Sequence, residues 1–296
     1  MLDAFEDIQG VQGDPVVYLN GKYLPLSQAG VSVLDRGFVF GDGIYEVVPI
    51  YHRQPFRMQE HLDRLERSLS ELEISAPMSR DHWQDLIIEL LDQQPALETA
   101  MVYIQVTRGV AKRDHAFPNP PVKPTVFAML TPMTPPGEQL RTQGVRAISI
   151  EDIRWLRCDI KSVSLLGNVL AKQAAVKAGV DEVIQFRDGM MTEGAACNVW
   201  VVENGKVYGA PKDNKVLQGI RYGLFESLCQ QCGLSFVLEP VSKQRVAHAQ
   251  ELMVSSATRE VLPVVTLDGQ LVGGGQPGPV YQRLRQAYDA CLAQLA

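Results

Sequence analysis

In 296 residues no apolar run reaches the roughly 20 residues that a membrane-spanning helix needs. No basic run stands out either. The 28 Lys and Arg are outnumbered by 34 Asp and Glu, for a formal charge of -6, and the basic footprint of a nucleic-acid-binding surface is missing. The N-terminal stretch MLDAFEDIQGVQGDP is acidic and lacks a basic region followed by an apolar one, so no secretory signal is expected there. Cysteines are few and odd in number. Cys158, Cys197, Cys229, Cys232 and Cys291 are scattered, which argues for reduced thiols over a disulfide framework. Only Cys229 and Cys232 form a C-x-x-C pair, in the last turns of a helix closed by Gly233. With no second cysteine or histidine pair beside them they read as ordinary helical residues, with zinc or redox chemistry as the alternative. These absences point to a cytoplasmic protein whose partners are small molecules or other chains. The self-sufficient catalytic signatures are also missing: no P-loop, no G-x-G-x-x-G loop behind a strand, no H-E-x-x-H and no G-x-S-x-G is read.

What is present is a hydrophobic content of 46%, enough for one large core or two medium ones. VVYLNGKYLPL (16–26) predicts a hairpin turning at Asn20-Gly21. FVFGDGIYEVVPIY (38–51) reads as strand, rich in β-branched and aromatic residues. Leu62, Leu65, Leu69 and Leu72 recur at helical steps, and a second helix starts with Ser79 as its cap. Strands follow at 101–108 and 124–130. The prolines of TPMTPPG (131–137) read as a break between domains, so the expected division is 1–131, a linker at 132–137, and 138–296. The second half reads as the strand VRAISI, a helix ending at Gly179, the strand DEVIQF and a hairpin turning at Asn204-Gly205. A helix at 219–232, the strand ELMVSS, a hairpin across Asp268-Gly269 and a C-terminal helix follow. Strand clusters with segregated helices predict two α+β domains.

A few residues stand out chemically. Lys161, in RWLRCDIKSVSLLGNVL, is placed at the end of a partly apolar strand just before a helix. A poorly hydrated pocket there would free its amine for imine chemistry, whereas a solvated head on a buried stem is the plainer alternative. Glu193 sits in the small-residue turn MMTEGAACN, where backbone can approach a ligand, or where it is simply a surface carboxylate. Arg113 and His115, in GVAKRDHAFPN, put a fork of donors and a titratable ring in one loop, which suits a carboxylate or is a solvated basic loop.

Taken together, DRGFVFGDGIYEVV (35–48), HLDRL (61–65), VTRGVAKRDHAFP (106–118), EDIRWLRCDIKS (151–162), TEGAACNV (192–199), LQGIRYG (217–223) and SSATREVLPV (255–264) resemble the D-amino-acid aminotransferases of the fold-type-IV family. The resemblance implies a two-domain fold, a small N-terminal α/β domain with a larger, barrel-like C-terminal one, and pyridoxal 5'-phosphate as cofactor. It implies that Lys161 forms the Schiff base and moves a proton, and that Glu193 faces the pyridine nitrogen. Arg64 would grip the phosphate, Leu217 pack on the ring, and Gly219, Ile220 and Arg221 form a phosphate cup with Ser256 and Ala257. Tyr45, Arg113 and His115 would bind the substrate carboxylate, the last two contributed by the second subunit of a homodimer. No metal is implied. The activity implied is ping-pong transfer of an amino group between a D-amino acid and an α-keto acid. An (R)-amine or branched-chain aminotransferase and an aminodeoxychorismate lyase share the fold as alternatives, and a non-catalytic cofactor-storing or regulatory protein is a third. The chain departs from the family pattern at Ala195, Ala196, Cys197, Arg221 and Ala257, where hydroxyl residues are usual, and at Lys112. The Arg221 side chain is expected to turn toward the phosphate in place of a missing hydroxyl.

Overall fold

The structure, a computed structural model, describes Ile8 and residues 10–295. Most of the acidic stretch assessed for a secretory signal therefore lies outside the described residues. The chain divides into two compact units. One runs to Met133 and takes in Ile160–Ser164; the other comprises Thr134–Asp159 and Leu165 onward.

In the first unit, β1 (Val16–Leu19), β2 (Lys22–Pro25), β3 (Gly43–Tyr51), β4 (Gln54–Pro55), β5 (Ala100–Thr107) and β6 (Thr125–Pro132) form one sheet in the order β2-β1-β6-β5-β3-β4. All its pairings are antiparallel. The β1–β2 hairpin turns through Asn20 and Gly21, both at positive φ, as an Asn-Gly turn of this kind requires. The helices are α1 (Arg36–Phe40), α2 (Met58–Glu71) and α3 (Arg80–Asp92). Leu62, Leu65 and Leu69 of α2 join Trp83, Ile87 and Leu90 of α3 in a core with Ile44, Val48, Val102 and Ile104 of the sheet. Ser79 caps α3 by accepting from the His82 N–H at 3.3 Å.

The unit differs from expectation in two places. Residues 38–40 belong to a short helix, not a strand. Asp35 Oδ1 accepts from the Gly37 N–H at 2.8 Å, and Gly41, at φ 67°, closes the turn before β3 begins at Gly43. The cap and the left-handed glycine outweigh the β-propensity of Phe38-Val39-Phe40. TPMTPPG is also not wholly linker: β6 continues to Pro132, which pairs with Ala100 as the last residue of the strand.

The second unit holds α4 (Glu138–Gln143), β7 (Val145–Glu151), α5 (Leu166–Lys177), β8 (Glu182–Arg187), β9 (Met190–Gly194), β10 (Asn198–Glu203) and β11 (Lys206–Gly209). It continues with α6 (Ile220–Gln231), β12 (Ser235–Leu238), α7 (Lys243–Ala247), β13 (Glu251–Ser256), β14 (Glu260–Leu267), β15 (Gln270–Leu271) and α8 (Pro279–Ala293). Its mixed sheet runs β12-β11-β10-β13-β14-β7-β8-β9, with β15 paired to β14. A tight turn fastened by Gly194 N–H to Cys197 O, 2.7 Å, leads the last strand β9 directly into β10, so the sheet curls back on itself. This is the barrel-like domain that was expected. Among the described residues no helix is long and apolar enough to cross a membrane, and no group of metal-ligating side chains is assembled. All five cysteines are free.

Contrary to the motif reading, Gly273–Gly278 does spell G-x-G-x-x-G between β15 and α8. Its helix terminus is not open to a phosphate. The Glu251 carboxylate already accepts from the Val280 and Tyr281 N–H groups at 2.9 and 2.8 Å.

Candidate active site

The segment carrying Lys161 is not the strand expected. After β7 the chain is irregular up to α5, and its backbone is fixed piecewise. Lys161 O accepts from Tyr45 N–H at 2.9 Å, Lys161 N–H donates to Ser68 Oγ at 3.4 Å, and Ser162 bridges Ile44 of β3. The side chain is half-buried, with Nζ 3.9 Å from the centre of the Tyr45 ring. Among the described residues no carboxylate pairs with it. The Tyr45 ring in turn stacks on Tyr103 at 5.8 Å. Burial, helped by the nearby Tyr45, pushes the Tyr103 hydroxyl up to about 12.

Arg64, on the buried face of α2, is held by a residue that pattern alone did not single out. Glu46, buried in β3, accepts from Arg64 Nε at 2.6 Å and Nη2 at 2.8 Å, and lies 2.8 Å from His61 Nδ1. Burial acts to raise the Glu46 pKa, but the Arg64 charge and the hydrogen bonds from Arg64 and His61 outweigh it and hold the carboxyl well below its ordinary value. Glu46 thus fixes the plane of the Arg64 guanidinium.

Arg113 and His115 are exposed and meet on one aromatic ring. The Arg113 guanidinium carbon is 5.4 Å from the centre of Phe40, and the His115 ring lies 5.4 Å from it. Tyr45 is not part of that cluster.

In the second unit the predicted residues form a chain of contacts. Glu193, at the end of β9, is buried, and its carboxylate accepts from Arg154, from Asn198 Nδ2 at 3.3 Å and from the Leu217 N–H at 3.0 Å. Asn198 also donates to Leu217 O at 3.0 Å, and its Oδ1 fills the space that a Cβ on Gly219 would need. Gly219 is the N-cap residue of α6, so no capping side chain covers the amides of that first turn. Ile220 and Arg221 open the helix.

The Arg221 side chain makes its own contacts at the start of the helix. Its Nε and Nη2 donate to the carbonyls of Ser256 and Ala257 at 3.1 and 3.0 Å, and its guanidinium faces the Tyr288 ring. It therefore ties the start of α6 to the turn after β13.

Arg154 and Asp152 are the residues sequence reasoning missed. Asp152 accepts from Arg154 Nη2 at 2.8 Å and from the hydroxyl of Thr192, the residue before Glu193, at 2.8 Å. Burial raises and these bonds lower the Asp152 carboxyl, with a net lowering. Burial pushes Glu193 above the usual carboxylate range, although Arg154 opposes the shift. Arg154 is driven up, burial notwithstanding, by its bond to Asp152 and the charge of Glu193, so it stays a cation. Cys158, which burial raises to about 11, is a thiol at neutral pH. The only sequence signal for Arg154 was its presence in EDIRWLRCDIKS.

The amino-transferase class IV family model matches residues 43–267. A D-alanine aminotransferase of Staphylococcus haemolyticus is 41% identical over 273 residues, covering 92% of this chain and 96% of that one. One from Bacillus licheniformis is 39% identical over 271 residues, covering 92% and 95%. Among solved structures, the Escherichia coli branched-chain amino acid aminotransferase superposes with a TM-score of 0.88 at 24% identity, covering 94% of each chain. The branched-chain aminotransferase of Thermoproteus uzoniensis with norvaline gives 0.85 at 21%, covering 95% of this chain and 96% of that one. At these identities the two structures speak for the fold alone. A family match spanning most of the chain, and relatives it covers almost end to end, make this chain a member of the class IV aminotransferases.

Proposed function

We propose that this chain transfers an amino group between a D-amino acid, such as D-alanine, and an α-keto acid, such as α-ketoglutarate, with pyridoxal 5'-phosphate as cofactor. The observation that carries the reading is Lys161: a half-buried lysine with its backbone clasped by Tyr45 and Ser68, its amine over an aromatic face, and no carboxylate partner among the described residues. An amine so placed is not spent on an ion pair. The named activity of relatives 39–41% identical supports the D-amino acid assignment.

The residues present fit the cofactor. A buried carboxylate raised by burial, Glu193, suits a protonated ring nitrogen, and the uncovered first turn of α6 behind Gly219 suits a phosphate. When bound, pyridoxal phosphate supplies the electron-accepting ring that lets an amino acid release its Cα proton. Lys161 Nζ would hold the cofactor and carry that proton. Glu193 would face the ring nitrogen, and Arg154 keeps the Glu193 carboxyl oriented. By the resemblance, Arg64, with its plane set by Glu46, would serve the phosphate from the first unit, and the backbone of Gly219, Ile220 and Arg221, with Ser256 and Ala257, would serve it from the second. Leu217 would pack on the ring. Tyr45, Arg113 and His115 bind the substrate carboxylate.

The exposure of Arg113 and His115 suits a clamp that serves a second copy of the chain. Exposed apolar side chains such as Val33, Phe38, Leu166 and Val169 supply surface for a homodimer. Free thiols favour the reducing conditions of the cytoplasm.

The test is the visible spectrum of the purified protein with pyridoxal phosphate. Loss of the bound-cofactor band on adding D-alanine, but not L-alanine or L-leucine, and its return with α-ketoglutarate is the expected result. A band that responds to L-leucine instead would overturn the substrate assignment, and no band at all would overturn the cofactor.

A further inference from the structure

The loop that carries Arg113 and His115 is fastened along its length to the segment that forms α1. Arg36 N–H donates to Gly109 O at 2.9 Å, Arg108 N–H to Asp42 O at 3.0 Å, and Asp35 bridges Val110. The buried Arg36 side chain then reaches across to the loop tip. Its Nη1 donates to the carbonyls of Asp114 at 2.5 Å and Ala116 at 3.3 Å, and its Nη2 to that of His115 at 3.4 Å. Its Nε donates to Asp42 Oδ2 at 2.7 Å, the oxygen that also accepts from Arg108 Nε at 2.8 Å. Arg108 in turn lies 3.5 Å from the Phe117 ring, at the far side of the same loop. Four residues from Arg36, at the other end of α1, Phe40 offers its ring to the side chains of both Arg113 and His115.

We propose that Arg36 and Phe40 are positioning residues of the carboxylate-binding loop. Arg36 fixes the backbone of residues 114–116, and Phe40 is the platform that aims the Arg113 guanidinium and the His115 ring. Both act through the loop. Their effect is preorganisation: a loop already ordered loses less freedom when it closes on a carboxylate. The inference rests on the reading that Arg113 and His115 bind the substrate carboxylate. A planar guanidinium that serves three carbonyls and a carboxylate at once has no equivalent in lysine, whose ammonium is a single point with three donors.

The experiment compares Arg36→Lys, Phe40→Leu, Arg113→Ala and the Arg36→Lys/Arg113→Ala and Phe40→Leu/Arg113→Ala doubles as holoenzymes. Rapid mixing with D-alanine gives an apparent Kd and a limiting rate for each. The expected result is a rise of about tenfold in apparent Kd for each single variant of Arg36 and Phe40, with the limiting rate changed by less than about threefold. On top of Arg113→Ala neither change should add more than about twofold, because both act through the loop. Amide hydrogen exchange of the cofactor-free protein provides a readout independent of turnover: residues 111–117 should exchange faster in Arg36→Lys. Unchanged Kd in folded single variants would overturn the proposal. So would a Kd increase that persists undiminished in the Arg113→Ala background, which would place Arg36 and Phe40 in some other role. If Arg36→Lys does not fold, Phe40→Leu carries the same comparison. An Arg113→Ala enzyme that binds D-alanine as tightly as wild type would remove the clamp reading itself, and the proposal with it.

Discussion

Glu46→Gln is the substitution whose cost can be worked out most completely. Glu46 is buried and gives its two oxygens to Arg64 and His61 through contacts of 2.6–2.8 Å. Glutamine keeps the shape but removes the charge and turns an NH2 group toward a donor. Removing one partner of a buried ion pair costs about 3–5 kcal/mol, because the other charge loses its buried counter-charge. With a urea dependence of about 2 kcal/mol per molar, the unfolding midpoint of the first unit should fall by roughly 1.5–2.5 M at pH 7. The pH dependence gives a second check. The folded-state pKa of Glu46 lies below its ordinary value of 4.5, so its stabilisation is present above 4.5 and is lost as pH falls through the lower folded value. The glutamine variant has no such group. The gap between wild type and variant should therefore be widest near neutrality and narrow below pH 4.5, by up to about 1.4 kcal/mol per pH unit. Urea melts followed by circular dichroism at pH 7, 5, 4 and 3 measure this. A midpoint shift under about 0.5 M at pH 7, or a gap that stays constant down to pH 3, would refute the reasoning.

Lys161→Ala should retain the melting profile of the wild type and lose transamination altogether; turnover comparable to wild type would remove Lys161 from the chemistry. Gly219→Ala brings a methyl group against Asn198 Oδ1, the side chain that positions Leu217 and Glu193. Pyridoxal phosphate titration should show affinity reduced by about tenfold or more, equivalent to about 1.4 kcal/mol; unchanged affinity would mean that the turn relaxes freely. Arg221→Ala removes the tie to the Ser256 and Ala257 carbonyls without adding a hydroxyl that could itself serve a phosphate. It should weaken binding of pyridoxal phosphate more than binding of pyridoxal, which lacks the phosphate. Equal losses for both would show that Arg221 supports the fold and not the phosphate cup.

What could be read from the sequence was local. The Asn20-Gly21 turn, the Ser79 cap and the leucine spacing of α2 each depend on residues within a few turns of each other, and each appears where expected. The misreading of 38–40 as strand arose where a cap at Asp35 and a left-handed Gly41 overrode the preferences of the residues between them. The resemblance names candidate groups for the chemistry, but not what holds them. Arg64, Glu193 and the loop of Arg113 and His115 are each oriented by a partner distant in sequence. Glu46 lies 18 residues from Arg64 and Arg154 39 residues from Glu193, while Arg36 is 78 residues from the carbonyl of Asp114. Such pairs follow from strand register and loop path, and no spacing rule reaches that far. The same limit explains Arg221. Its position in place of a usual hydroxyl suggests a phosphate contact, but not the two backbone carbonyls that its buried guanidinium also serves. The electrostatic design of the site thus lies one layer behind the residues that a motif can name, and substitutions in that layer, at Glu46, Arg154 and Arg36, are the ones that separate a site merely present from a site held ready.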